Sequence, residues 1–209
     1  VAVETARGLR LPCSVLLGPA DHPLAGVRPG DPAEAGAGTL QLGPLTVRVA
    51  RWWRPAAPRA ARPRQEAAAY PPGPWDELAR PLLGLGPGLT PAGDDLLAGL
   101  LVGLAGRPDL RDPLADAVGR QAPAGTTWLS AELLLLAADG LAAPAVVAVA
   151  DALDGHGPGD ALGRTLPDLL SVGHTSGPAL ARGLLLAADT LARHASIPDT
   201  PHPTSRSAA

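Results

Sequence analysis

The chain has 209 residues, a formal net charge of −3 and 46% hydrophobic residues, enough apolar material for a folded core. All 17 basic residues are arginine, which excludes chemistry that needs a lysine, such as a Schiff base or a phosphate-binding P-loop lysine. The single cysteine, Cys13, permits neither an internal disulfide nor a cysteine-based zinc site, and the acidic balance offers no global field for nucleic acid. No apolar run follows a basic segment near the N-terminus, and the Leu/Ala stretches are interrupted before the roughly 18 residues that a membrane span requires. The expectation is a cytoplasmic protein with no membrane and no nucleic-acid partner.

The predicted elements define an α+β chain: a small β-rich N-terminal unit followed by an α-helical bundle. Residues 1–53 form the β-rich unit. Leu11 to Leu17 is a short apolar run that reads as a strand containing Cys13, and Gly30 to Gly38 reads as loop. Residues 39–50 predict a hairpin: Leu40 and Leu42 share one face, Leu45, Val47 and Val49 share the facing one, and Gly43-Pro44 turns the chain. Residues 54–74 are a Pro/Arg-rich connector. Five arginines lie between Arg51 and Arg64 without aromatic interleaving, the pattern of a solvated linker. Helices are expected over 75–83, 91–105, 112–121, 127–140, 143–154, 159–171 and 178–195, each bounded by Gly or Pro, within a bundle spanning 75–195. Leu133 to Leu136 is apolar on every side, which predicts a central, buried helix. Residues 196–209, rich in Pro and Ser, are expected to be disordered.

The informative segment is Gly84-Leu-Gly-Pro-Gly-Leu-Thr-Pro-Ala-Gly-Asp-Asp95. Its glycines permit backbone conformations that other residues resist. Thr90 is suited to cap a helix with Pro91 in its first position. A glycine-rich helix start presents backbone N–H groups and a positive dipole end, which together attract anions. Gly86, Gly88, Thr90 and Gly93 are therefore candidate substrate-binding residues. Asp94 and Asp95 point roughly 100° apart on a helix, so only one can face a given ligand. The plainer reading is that Thr90 caps and the two carboxylates complement the dipole.

A second segment echoes the first. Gly173-His-Thr-Ser-Gly-Pro-Ala-Leu-Ala-Arg-Gly183 repeats the scheme Gly-x-Thr, small residues, Gly, then Leu-x-x-Gly, with one residue deleted. The echo predicts two helices side by side with their starts at one end, joined through Gly99 and Gly183. Thr175, Ser176 and Gly177 join the substrate-binding candidates. Asp94, Asp95 and His174 are the catalytic candidates, His174 because imidazole exchanges protons near neutral pH. Thr126, Thr127 and Ser130 read most simply as hydroxyls capping a helix.

These blocks resemble a bacterial family long described as a domain of unknown function, with AllH-like members that are subunits of oxamate carbamoyltransferase. The first block matches Gly84 to Asp95, with Ala92 where the family has serine. A Thr-x-x-Ser helix start ending in Ala-x-x-Gly is similar to Thr127, Ser130 and Ala137 to Gly140. A Gly-x-Thr-Ser-Gly-x-Asp turn is similar to Gly173 to Gly177, with Ala179 in place of its aspartate. The resemblance runs over roughly residues 8–190. It implies reversible transfer of a carbamoyl group between oxamate and phosphate, carried out with partner subunits on a small anionic metabolite or phosphate.

Three functions follow as expectations. The first is an anion-binding transferase subunit without a cofactor, in which replacing Asp94 by Ala removes binding and leaves the fold nearly intact. The second is a Mg²⁺-dependent hydrolase using Asp94 and Asp95 as metal ligands, with a third from Asp139 or Asp189. The third is a non-catalytic subunit or metabolite sensor, favoured by Ala179 and by the lack of an evident nucleophile–base pair.

Overall fold

The computed structural model describes residues 1–5, 8–18, 24–62 and 74–195. It is an α+β protein. Among the described residues, five short strands, β1 (Ala2–Glu4), β2 (Ser14–Leu16), β3 (Ala33–Gly36), β4 (Thr39–Leu42) and β5 (Leu45–Arg48), precede seven helices. These are α1 (Pro74–Ala79), α2 (Ala92–Gly103), α3 (Pro108–Gly125), α4 (Trp128–Ala138), α5 (Pro144–Leu153), α6 (Ala161–Leu170) and α7 (Ser176–Ala195).

The hairpin forms in the expected register, Leu40 opposite Val47 and Leu42 opposite Leu45, and Gly43 takes a φ of 51° in the turn. Two strands escape local reading. β3 lies within the segment expected as loop, because Ala33-Glu-Ala-Gly36 is exposed and poor in β-formers; its pairing to β4 makes it a strand. β1 pairs parallel to β2, a non-local ladder with no turn signal to announce it. Cys13 sits in the turn before β2 rather than in a strand, and burial raises its thiol pKa.

The connector departs from the expected free linker over its described part. Ala56 and Ala142 form an antiparallel bridge, and Pro58 is buried. The Arg59 amide donates to Asp151, and the Arg62 amide to the Ala105 carbonyl. Arg111, wholly buried on α3, donates to the Arg62 carbonyl at 2.6 Å and pairs with Asp112 at 2.7 Å. Residues 56–62 are thus a strap fastened by its backbone, while Arg59 and Arg62 remain exposed. The rest of the connector, 63–73, and the tail, 196–209, lie outside the described residues.

All seven expected helices form. α3 begins four residues earlier than its pattern predicts and runs through Pro113 and Pro123. The central element is α2, not α4. Leu97, Leu100, Leu101 and Val102 of α2 are almost fully buried, whereas Leu135 of α4 is 37% exposed. α2 packs on α7, α4, α5 and α3. Its closest neighbour is α7, where a Cβ on Gly99 would run into the Leu180 carbonyl oxygen and a Cβ on Gly183 into that of Leu96. The reciprocal contacts, with Gly103 against Ala187 further along, mean that α2 and α7 run side by side in the same direction. No helix among the described residues is long and apolar enough to cross a membrane.

Candidate functional site

The two hydroxyl-bearing turns meet. Thr90 Oγ1 and Ser176 Oγ are 3.1 Å apart at the starts of α2 and α7. Thr90 does not cap α2 as expected. Helix α2 begins one residue later, Pro91 (ψ 144°) holds the capping position, and no side-chain cap bond forms. The Asp94 and Asp95 amides close back onto the Pro91 carbonyl. Gly84, Gly86 and Gly88 have φ of 70°, 118° and 98°, so the preceding turn depends on left-handed backbone that L side chains resist.

Both turns are built alike. The Gly93 amide donates to the Leu85 carbonyl at 2.9 Å, and the Gly177 amide to the Val172 carbonyl at 2.8 Å. A Cβ on Gly93 would strike the Leu82 carbonyl oxygen, and one on Gly177 that of Leu169. These two glycines therefore serve close packing, and their N–H groups are engaged within the chain. Gly86, Gly88, His174 and Thr175 lie exposed in the turns, while Thr90 and Ser176 are half-buried.

The adjacent carboxylates part company, as their angular separation requires. Asp94 is 1% exposed, and three neutral donors hold it. Its Oδ1 accepts from the Gly84 amide at 2.9 Å, and its Oδ2 accepts from Ser130 Oγ at 2.7 Å and from Thr126 Oγ1. An alanine here would leave those three donors without this acceptor, which argues for a cost in stability that the expectation for Asp94→Ala did not include. Asp95 turns instead toward α7. It is 7% exposed, and its buried Oδ2 has no hydrogen-bond partner among the described residues. Burial, reinforced by the charge of Asp94, pushes its carboxyl up to about 6, against the opposing pull of the Ser176 hydroxyl.

Thr127 caps α4 as expected, accepting from the Ser130 amide, and its own hydroxyl donates to the Leu89 carbonyl. The link from Thr126 and Ser130 to Asp94 was missed. Three hydroxyls in five residues, where one cap needs one, was the available signal.

Neither Asp139 nor Asp189 converges on Asp94 and Asp95. Asp189 lies thirteen residues into α7, about 20 Å from its start at ~1.5 Å per residue, and pairs with Arg193. Asp139 caps the opposite end of α4 from Ser130 and is exposed. Among the described residues, no group of three or more His, Cys, Asp or Glu is placed to hold a metal. Arg182 is exposed on α7.

The fold and site define a helical bundle with a buried, singly unpartnered carboxylate where two parallel helices begin. The chain belongs to the AllH family: the family model for oxamate carbamoyltransferase subunit AllH matches residues 82–188, about half of the chain and nearly all of the bundle. The three sequence blocks lie inside that match, and the β-rich unit lies outside it. No curated protein and no solved structure matches the chain.

Proposed function

We propose that the chain is a subunit of a carbamoyl-transferring enzyme and binds a small anionic metabolite or phosphate where α2 and α7 begin. The observation that carries this reading is the Thr90–Ser176 contact beside the unpartnered Oδ2 of Asp95. The hydroxyls of Thr90, Thr175 and Ser176, with two positive helix ends, supply the attraction for the anion. Asp95 supplies the discrimination. Ionised, it accepts from the amino group of a carbamoyl moiety; protonated, it donates to an anionic oxygen.

In the reaction that the family description implies, a phosphate oxygen attacks the carbamoyl carbon of oxalurate. The bond from that carbon to the oxamate nitrogen breaks, and the nitrogen takes up a proton, leaving oxamate and carbamoyl phosphate. A carboxyl that titrates near 6 is suited to deliver that proton, and His174 lies at the exposed rim. Partner subunits would meet this end of the bundle, where Leu85, Leu89 and Trp128 are exposed.

The test is thermal melting with phosphate, carbamoyl phosphate, oxamate and Mg²⁺, with EDTA controls. A ligand at about 100 times its Kd adds roughly 2.7 kcal/mol, a shift of several degrees. Stabilisation by these anions that is absent in Asp95→Ala supports the site. Stabilisation by Mg²⁺ alone, or by no anion, overturns the reading.

A further inference from the structure

Asp94 carries a charge-bearing group into the interior with only neutral donors around it, and those donors come from three separate places. Gly84 opens the glycine-rich turn, Thr126 ends α3, and Ser130 lies in the first turn of α4. The residue they surround is the chain neighbour of Asp95. Both oxygens of Asp94 are engaged, and the residue is 1% exposed, so it has no surface to offer a ligand.

We propose that Asp94, with Thr126 and Ser130, is the positioning device of the site: it pins the glycine-rich turn and the α3–α4 junction to the first turn of α2, and so fixes Asp95 against Ser176. This assignment rests on the reading of Asp95 as the ligand-facing group. Asp94 acts through Asp95 in two ways. Its clamp keeps water away from the neighbouring carboxyl, and its charge disfavours ionisation there. Facing Asp95 from α7 is the neutral hydroxyl of Ser176, itself in contact with Thr90, and among the described residues the charge that acts on Asp95 is that of Asp94.

The experiment is carbon-13 NMR titration of the Asp95 carboxyl in the full chain, together with phosphate affinity, for wild type, Asp94→Asn, Thr126→Val and Thr126→Ser. In Asp94→Asn the midpoint should fall only modestly below about 6, because a like charge is lost while burial, the larger cause of the rise, is kept. In Thr126→Val it should fall because the clamp loosens and burial relaxes, and phosphate affinity should drop at least several-fold. Thr126→Ser keeps the hydroxyl and should restore both. If Thr126→Val only lowers the melting temperature, with the midpoint and affinity of wild type, Asp94 is a structural residue and the assignment is wrong. Thr126→Val carries the test should Asp94→Asn fail to fold. Wild type that binds no phosphate would remove the proposed anion site, while the Asp95 titration would still decide the role of Asp94.

Discussion

Thr90 and Ser176 stand 86 positions apart in the chain and 3.1 Å apart in space. Each is the hydroxyl at the start of its own helix, and each helix carries a glycine at the level where the two backbones touch. The pair therefore records how the helices are held: glycine contacts along their length bring their starts, and the groups on them, together.

Thr90→Val tests what the pair does. Thr90 is half-buried and caps nothing, so losing its hydroxyl should cost no more than about 1 kcal/mol of stability. The stabilisation by phosphate or carbamoyl phosphate should shrink markedly. A variant that melts like wild type and keeps the full ligand shift would show that the hydroxyl is not a ligand contact.

Asp95 sets a pH dependence whose sign can be worked out. The carboxyl titrates near 6 in the fold and near 3.8 when unfolded, so between those values the folded state holds the extra proton. Stability falls as pH rises through this window, by on the order of 3 kcal/mol at most, and stays lower above it. Asp95→Asn should be more stable than wild type at pH 7.5, and the difference should vanish by pH 4. Urea unfolding at both values measures this; equal stability of the two proteins at pH 7.5 would deny that Asp95 is an uncompensated buried acid.

Gly99→Ala and Gly183→Ala should each destabilise the bundle by about 3 kcal/mol or more, since the new methyl meets a backbone carbonyl that cannot step aside alone. The ligand-induced shift should fall as well, because separating α2 from α7 separates Thr90 from Ser176. Differential scanning calorimetry with and without phosphate reads both effects. A neutral substitution would mean that the helices are not in backbone contact.

Arg111→Met should release the strap. The buried guanidinium ties the Arg62 carbonyl to α3, and removing it takes from that carbonyl the donor that holds it, at about 1–3 kcal/mol. Limited proteolysis with trypsin should then cut after Arg59, which is followed by alanine, far faster than in wild type. Unchanged cleavage would show that the bridge at Ala56 and Ala142 suffices to hold the segment.

Much of this protein was legible locally. The glycines and prolines that bound each helix, the alternation on either side of Gly43-Pro44, and the echo of Gly88 to Gly99 in Gly173 to Gly183 all depend on neighbours a few positions away, and they predicted seven helices and a hairpin. The paired segments even predicted helices side by side, since a repeated glycine inside a helix marks close approach. What only the tertiary structure decided is how groups far apart in the chain divide their work. Asp94 and Asp95 are the same residue type, adjacent and equally suited to a helix start. One is saturated by Gly84, Thr126 and Ser130, and the other is left with a bare oxygen beside Ser176. The strap at 56–62 and strand β3 were hidden for the same reason: their hydrogen-bond partners are supplied by other elements, and a backbone group's partner leaves no mark on the side chain that the sequence records.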